Sequence, residues 1–132
     1  FTEKEIVAFQ ARANTRQVGI PKHHTVKFGL VITNIGGGYN NNTGQFTAPV
    51  KGVYFFDWTM VVDNGDMFFT ELVKNGNIVG YNHCAARRHS FEKSCTATAR
   101  IELQMGDKVW VRTSSFGSDA HSVWPTFGGH KL

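Results

Sequence analysis

The chain has 132 residues, of which 41% are hydrophobic and 18% charged, and its formal net charge is +4. This length suits one domain with a single core, and the composition is globular rather than disordered. No apolar run approaches the roughly 20 residues of a membrane-spanning helix, and the charge is too small to indicate nucleic-acid binding. We therefore expect one domain over residues 1–132, with neither membrane insertion nor nucleic acid among its interactions.

The composition and the spacing of apolar segments predict an all-β fold. The chain holds 11 Phe and 14 Gly, which suits half-buried strands joined by many turns. No segment keeps a helical period, whereas short apolar segments recur about every 10 residues, as in a β-sandwich or barrel. The predicted strands are Ile6 to Arg12, Val26 to Thr33, Val50 to Val62, Met67 to Val73, Ile78 to Tyr81, Thr96 to Leu103, Val109 to Val111 and Val123 to Phe127.

Two local patterns are the clearest of these signals. Asn75-Gly76 stands between two apolar segments, and both residues tolerate the positive φ of a tight hairpin turn. From Thr96 to Leu103, small or apolar residues alternate with polar ones, so one face of this strand is expected to be buried. The residues expected to face the core are Ala97, Ala99, Ile101 and Leu103.

The strand from Val53 to Val62 is apolar on both faces, with only Asp57 and Thr59 interrupting. One face carries Val53, Phe55, Thr59 and Val61, and the other carries Tyr54, Phe56, Trp58, Met60 and Val62. A sandwich strand in a monomer is expected to leave one face polar, because that face meets water. Either a loop or other copies of the chain therefore cover the outer face. Large apolar patches usually mark interfaces, which favours self-association.

A set of motifs spread along the chain resembles one known family. The motifs are Val7 to Arg12, Val26-Lys27-Phe28, Asn34, Tyr39-Asn40, Thr43 to Phe56, Lys74-Asn75-Gly76, Leu103, Gly106 to Trp110, Thr126 to Gly129 and Leu132. In this order and spacing they are similar to those of the C1q globular domain, part of the complement C1q and tumour necrosis factor superfamily. The segment from Thr43 to Phe56 is the most specific of them.

The resemblance implies a ten-stranded jelly roll that assembles as a compact trimer, with Val53, Phe55 and Phe127 at the trimer interface. It also implies that the termini lie at the base and the recognition loops at the opposite end. The chain has no Gly-X-Y stalk and looks most like the stand-alone C1q-domain proteins of invertebrates, especially molluscs. Those proteins serve as lectin-like immune recognition molecules, so we expect a secreted homotrimer.

The segment from His83 to Lys93 has the most unusual local composition, because cationic residues and histidines are concentrated in it. We expect His83, Arg87, Arg88, His89 and Lys93 to form an apical ligand-binding site. Guanidinium groups match carboxylate and phosphate geometry, and three copies in a trimer would raise the local field. The predicted ligands are sialylated or other glycans, lipopolysaccharide phosphate and comparable anionic surfaces. The alternative is a solvated basic loop without a ligand.

Two covalent modifications are expected in a secreted chain. Cys84 and Cys95 flank the polar, basic segment, and a disulfide between them would stabilise the fold by about 3 kcal/mol in the chain-entropy model. The alternative is two unrelated buried thiols. Asn41 begins an Asn-Asn-Thr acceptor for N-glycosylation within a turn-rich stretch.

Three acidic residues are candidate calcium ligands. Asp63 and Asp66 lie in one glycine turn, and Asp119 lies in another loop. Carboxylates so placed can hold Ca²⁺, which is a candidate cofactor here, although most such loops are simply turns. No closed Cys/His spacing for a transition metal occurs.

The sequence contains no recognisable catalytic motif. Nucleophile elbows, phosphate-binding glycine loops and His-Glu zinc motifs are missing. Ser118, Asp119 and His121 are close in sequence, but a catalytic triad depends on spatial arrangement. We therefore expect no enzyme but a secreted recognition module whose three weak sites act together on a repetitive surface. The alternative is an extracellular-matrix or receptor-binding signalling trimer without sugar specificity, which could bind calcium.

Overall fold

The computed structural model describes residues 6–63, 65–86, 92–114, 118–120 and 124–132, with only the backbone of 17, 18 and 118–120. Its regular structure is β throughout, and in these ranges no helix is long or apolar enough to cross a bilayer. The strands are β1 (Ala8–Arg12), β2 (Gln17–Ile20), β3 (Leu30–Ile35), β4 (Tyr39–Asn40), β5 (Gln45–Thr47), β6 (Gly52–Val62), β7 (Met67–Lys74), β8 (Asn77–Ala85), β9 (Lys93–Leu103), β10 (Lys108–Thr113), β11 (Ser118–Ala120) and β12 (Thr126–Lys131).

Two antiparallel five-stranded sheets pack against each other as a jelly-roll sandwich. The first sheet has the order β3-β1-β12-β6-β9, and the second sheet has the order β4-β5-β10-β7-β8. Strands β2 and β11 form a separate two-stranded ribbon. This architecture confirms the predicted all-β, ten-stranded jelly roll and adds the ribbon, which the sequence pattern does not indicate.

Alternate residues of β6 fill much of the core between the sheets. Tyr54, Phe56, Trp58 and Met60 are completely buried, as the two-residue period of a strand predicts. Strand β9 shows the same alternation, since Thr96, Thr98, Arg100 and Glu102 are exposed while the residues between them are half-buried. Both predicted core faces are therefore confirmed.

Phe127 belongs to this core and not to a surface of the domain. Its side chain is completely buried, and its ring meets that of Phe9 edge to face, with centroids 4.9 Å apart. The register of β12 sets Phe127 opposite Ala11 and Trp58, whose side chains also face inward. The prediction that Phe127 contributes to a trimer interface is therefore wrong, because on this strand it is His130 that faces outward.

The outer face of β6 is mixed in character. Val53 is 42% exposed. Phe55 lies between the guanidinium carbon of Arg100 and the ring of His130, each 5.5 Å from its ring centre. Asp57 occupies the same face. This side of the strand is therefore apolar apart from Asp57 and Thr59, and a cation–π contact covers part of its one large aromatic ring.

The turn between β7 and β8 confirms the predicted hairpin. Asn75 and Gly76 have φ angles of 50° and 90°, the left-handed region that an Asn-Gly pair adopts readily. Asn75 also joins this turn to the next one, because its side-chain amide donates to Asp107 Oδ1 at 3.1 Å and its Oδ1 accepts from the Lys108 N–H at 2.9 Å. The pKa of Asp107 is lowered, first by the hydrogen bond from the Gln104 N–H and second by the hydrogen bond from the Asn75 side-chain amide. The two turns thus form one hydrogen-bonded unit.

A buried polar bridge ties β6 to the second sheet. The Trp58 indole N–H donates to Thr70 Oγ1 at 3.0 Å, and the Thr70 hydroxyl donates to the Asn82 carbonyl at 3.4 Å. The Asn82 amide donates in return to the Trp58 carbonyl at 3.2 Å and to the Cys95 carbonyl at 3.0 Å. Trp58 and Thr70 are completely buried, so water cannot replace these bonds if one is lost.

We expect Thr70→Val to lower the free energy of unfolding by about 1–3 kcal/mol, because it leaves the indole N–H buried without an acceptor. Urea unfolding followed by tryptophan fluorescence measures this change. Thr98→Val is the matched control, since Thr98 is exposed on β9 and should change stability by no more than about 0.5 kcal/mol. Equal stability of the two variants would show that the bridge contributes nothing.

Candidate functional site

The two ends of the sandwich differ in what they carry. At one end, called the base, Gly52 begins β6 opposite Leu103, and the Leu132 N–H donates to β6 at 2.8 Å. At the other end, called the apex, Val62 is paired with Lys93. Strand β6 spans 11 residues, so roughly 33 Å separates the two ends. The segment that joins β8 to β9 therefore starts and finishes at the apex.

A disulfide connects the two strands that flank this segment. Cys84 in β8 and Cys95 in β9 are bonded, with their Cα atoms 5.6 Å apart, which confirms the predicted pairing. Strand β8 is the edge of the second sheet and β9 is the edge of the first. The bond therefore closes the open side of the sandwich. Both strands continue past their cysteines toward the apex, so the loop itself is shorter than the sequence suggests.

The predicted apical residues His83 and Lys93 lie in different surroundings. The His83 ring is 4.8 Å from that of Phe69 and 5.5 Å from that of Tyr81, so His83 belongs to an aromatic cluster on the outer face of the second sheet. Lys93 is exposed at the apical start of β9. Their role in ligand binding stays a prediction. The other predicted members, Arg87, Arg88 and His89, lie outside the described residues.

The acidic turn at the apex is closed by its own backbone. The Asp66 N–H donates to the Asp63 carbonyl at 2.9 Å, and the Asp66 carbonyl accepts from the Ala86 N–H at 2.9 Å. Asp119 lies in β11, of which only the backbone is described. Among the side chains that the structure describes, no three or more His, Cys, Asp or Glu come together. Calcium binding by these carboxylates stays a prediction.

The predicted glycosylation site lies in the turn between β4 and β5. Asn41 is exposed, and the preceding Asn40 accepts a hydrogen bond from the Asn42 N–H at 2.9 Å. The Asn41 side-chain amide donates to the Gly29 carbonyl at 3.1 Å. Glycosylation of Asn41 stays a prediction, and the nitrogen that would carry the glycan faces the segment before β3.

A polar groove adjoins this turn, and the sequence patterns do not reveal it. The groove, of about 370 Å³, is lined by Asn14, Thr15, Ile20, His24, Thr25, Lys27, Gly29, Asn41 and Asn42. Its described walls come from the end of β2, the segments on either side of β2 and the turn after β4, and local motifs miss it because they do not show how these segments meet. The sequence does offer one indication of an anion-binding region, because residues 6–56 contain neither Asp nor Glu.

Two buried tyrosines serve structural roles. The Tyr39 hydroxyl accepts from the Phe28 N–H at 3.1 Å and donates to the Phe28 carbonyl at 3.2 Å, which pins the segment that forms one wall of the groove. Burial raises the pKa of Tyr39 to about 12, against the opposing effect of the bond to Phe28. Burial also raises the pKa of Tyr54, whose hydroxyl donates to the Val50 carbonyl at 2.7 Å. Both hydroxyls thus stay neutral at physiological pH.

Comparison with solved structures defines the class. The globular domain of zebrafish complement 1qA matches with a TM-score of 0.76 and 20% identity, over 93% of this chain and 94% of that one. The Eiger TNF of S. frugiperda matches with a TM-score of 0.75 and 16% identity, over 97% of this chain and 93% of that one. The fold is therefore that of the C1q and tumour necrosis factor class of jelly rolls.

Sequence comparison then gives the family. The profile of the C1q domain matches residues 8–132, so the chain belongs to the C1q domain family, as its motifs predicted. Human complement C1q tumor necrosis factor-related protein 3 is 36% identical over 112 residues, covering 80% of this chain and 43% of that protein. Rat complement C1q tumor necrosis factor-related protein 5 is 31% identical over 105 residues, covering 80% and 43%.

The chain thus spans less than half the length of these curated relatives, both of which are vertebrate proteins. Its predicted likeness to molluscan members is not tested by them and stays a prediction.

Removing the disulfide tests how far it stabilises the apex. We expect Cys84→Ala with Cys95→Ala to lower the free energy of unfolding by about 3 kcal/mol, since the unfolded chain regains the entropy of an open loop. Urea unfolding with and without a thiol reductant measures the effect. The reductant should weaken the parent and leave the double variant unchanged, which separates the cross-link from side-chain packing. Alkylation of the freed thiols shows whether the disulfide has been reduced. If the reduced parent protein keeps its full stability, the expectation is contradicted.

Proposed function

We propose that residues 1–132 form one C1q domain of a secreted homotrimer that recognises glycans or other anionic ligands of microbial surfaces through its apical loops. The carrying observation is the basic segment between β8 and β9, whose ends are tied by the Cys84–Cys95 disulfide at the apex. Relatives named for complement C1q support an extracellular immune setting. Binding, without an enzymatic step, is the proposed activity.

The outer face of the first sheet supports the trimer. Leu30, Ile35 and Val53 are 42%, 50% and 42% exposed in the single chain. Ile35 lies in register with Ala8, and Ala8 with His130, which is in turn opposite the half-buried Phe55. Exposed apolar side chains grouped on one face usually mark an interface. A closed three-fold assembly would cover them with identical surfaces from sister protomers.

We expect Phe55→Glu to convert the trimer into monomers that remain folded, because Phe55 lies on the outer face of β6 and outside the core. Size-exclusion chromatography with light scattering measures the mass, and circular dichroism checks the fold. Tyr81→Glu is the matched control, since Tyr81 is 57% exposed on the second sheet, and this variant should stay trimeric. A parent protein with the mass of one chain would refute the assembly, and a trimeric Phe55→Glu variant would refute this interface.

Charge and multivalency support the proposed ligand class. The chain carries a formal net charge of +4, and the apical segment contains adjacent arginines, whose guanidinium groups bind carboxylate and phosphate in pairs of hydrogen bonds. Three copies of one weak site on a rigid head bind a repetitive surface more tightly by about 10²–10⁴-fold without any new contact. The proposal therefore needs only modest affinity at each apical loop.

We expect Arg87→Ala with Arg88→Ala to weaken binding to immobilised sialylated glycan or lipopolysaccharide by about tenfold or more, since each protomer loses two charge-assisted bonds. Surface plasmon resonance at fixed salt measures the affinity. Lys22→Ala with Lys51→Ala removes the same charge from exposed positions elsewhere and should change binding much less. Apical and control variants that bind equally well would rule out the apical loop as the reader of these surfaces.

A second candidate function is a signalling trimer that binds a cell-surface receptor. It is favoured by the structural likeness to the Eiger TNF of S. frugiperda and to murine APRIL. The human relative, whose name includes tumor necrosis factor-related, adds to this support. A glycan array separates the two candidates. A defined sugar preference supports the recognition module, whereas no sugar binding together with saturable, high-affinity binding to cells supports the signalling trimer.

A further inference from the structure

We propose that the polar groove beside β3 and the β4–β5 turn is a second ligand site, which binds an acidic saccharide, meaning a sugar that carries sulfate or carboxylate groups. The groove lies between the loop after β1, the end of β2, the segment before β3 and the turn after β4. Among the described residues, the lining comes from positions 14 to 42 and from none of the apical segment between β8 and β9. The proposal therefore goes beyond the apical function and does not depend on it.

The distribution of charge selects an acidic ligand. All ten Asp and Glu residues of the chain lie outside residues 6–56, and every lining residue that the structure describes comes from within this stretch. Lys27 and His24 contribute cationic or cationisable groups to the lining, and both are exposed. None of the lining residues that the structure describes is acidic, so Lys27 and His24 make the local potential favour an anion.

The remaining lining groups suit a sugar. Asn14 and Asn42 present amides, which both donate and accept hydrogen bonds, and Thr15 and Thr25 present hydroxyls, which do the same. This pairing matches the adjacent hydroxyls of a saccharide ring better than it matches a bare anion. The volume of about 370 Å³ lies at the lower end of the range of about 300–1,000 Å³ for small-molecule sites. A short saccharide segment is therefore the fitting occupant.

The walls of the groove are fixed in position by backbone contacts. The Val26 N–H donates to the Val111 carbonyl at 2.8 Å, which anchors the segment before β3 to the second sheet. The Tyr39 hydroxyl is hydrogen-bonded to both the N–H and the carbonyl of Phe28. The Asn41 amide fastens the turn after β4 to the Gly29 carbonyl at 3.1 Å. A preformed site of this kind loses little conformational entropy on binding.

Gly29 allows one polar group to reach the groove. A Cβ atom at this position would lie 2.5 Å from the Asn14 side-chain amide, so only glycine lets that amide lie across the backbone. The amide therefore occupies the space of a missing side chain and joins the lining beside Lys27 and Asn42. Three loops thus converge on one polar surface, which is the arrangement that a specific ligand site requires.

The test uses a fully sulfated tetrasaccharide of alternating uronic acid and glucosamine as the probe. The protein is made in a host that adds no N-glycan, because Asn41 borders the groove. Two-dimensional NMR of ¹⁵N-labelled protein should show saturable shifts in the side-chain amides of Asn14 and Asn42 and in the backbone around Lys27. Lys27→Gln and Asn42→Asp should each weaken binding at least tenfold, the first by removing a cation and the second by adding an anion of the same shape.

Controls separate this site from its alternatives. Lys51→Gln removes one charge from the same acid-free stretch outside the groove and should bind as the parent does. The desulfated, carboxyl-reduced tetrasaccharide should not bind, and inorganic sulfate should bind far more weakly than the tetrasaccharide. All three side chains changed are exposed, so amide spectra that match the parent confirm that the variants are folded.

Three results would overturn the proposal: shifts confined to residues outside the groove, full affinity in both groove variants, or equal binding of the neutral tetrasaccharide. The variant Arg87→Ala with Arg88→Ala should keep the groove shifts. If it keeps them but binds anionic surfaces as well as the parent, the apical function fails and the groove stands. If it loses surface binding while the parent shows no groove shifts, the groove fails and the apical function stands.

Discussion

Trp58 crosses the gap between the two sheets, and the strands opposite are shaped to accept it. Gly80 of β8 faces the indole, and a Cβ atom there would lie 3.0 Å from its ring. Thr70 of β7 supplies the acceptor for the indole N–H. The side-chain amide of Asn82 in β8 donates to the Trp58 carbonyl of β6 and to the Cys95 carbonyl of β9. The bonds around Trp58 therefore hold the edge strands β8 and β9 at a fixed distance from each other. The Cys84–Cys95 disulfide joins the same two edge strands.

The features of the fold that depend on neighbouring residues could be predicted from the sequence. The Asn75-Gly76 turn needs two residues that accept positive φ, and the alternation in β9 needs only a period of two. The interface role of Phe127 was wrong because the face of a strand residue depends on its register with other strands, and a shift of one residue reverses it.

The candidate sites also differ in whether they depend on neighbouring residues or on the meeting of separate segments. The Cys84–Cys95 pairing and the concentration of cations between these residues are local, so they could be predicted without coordinates. The groove depends on how the loops after β1 and β4 meet the segment before β3, and no periodicity encodes that meeting. What the sequence does show is the confinement of every Asp and Glu to positions outside 6–56. Charges act over about one Debye length, roughly 8 Å at physiological ionic strength, so only those close to the groove affect a ligand bound in it.

The covalent link between β8 and β9 has a consequence for how this domain can diversify. The edges of both sheets are joined below the apical segment, at Cys84 and Cys95, so the framework holds its geometry whatever sequence lies between them. The entropy of closing a loop grows only with the logarithm of its length, so doubling the insert costs about 0.6 kcal/mol. New lengths and compositions can therefore be exchanged in this interval at small cost to folding. The scaffold stays constant while the segment that we propose as the ligand-binding part is free to vary.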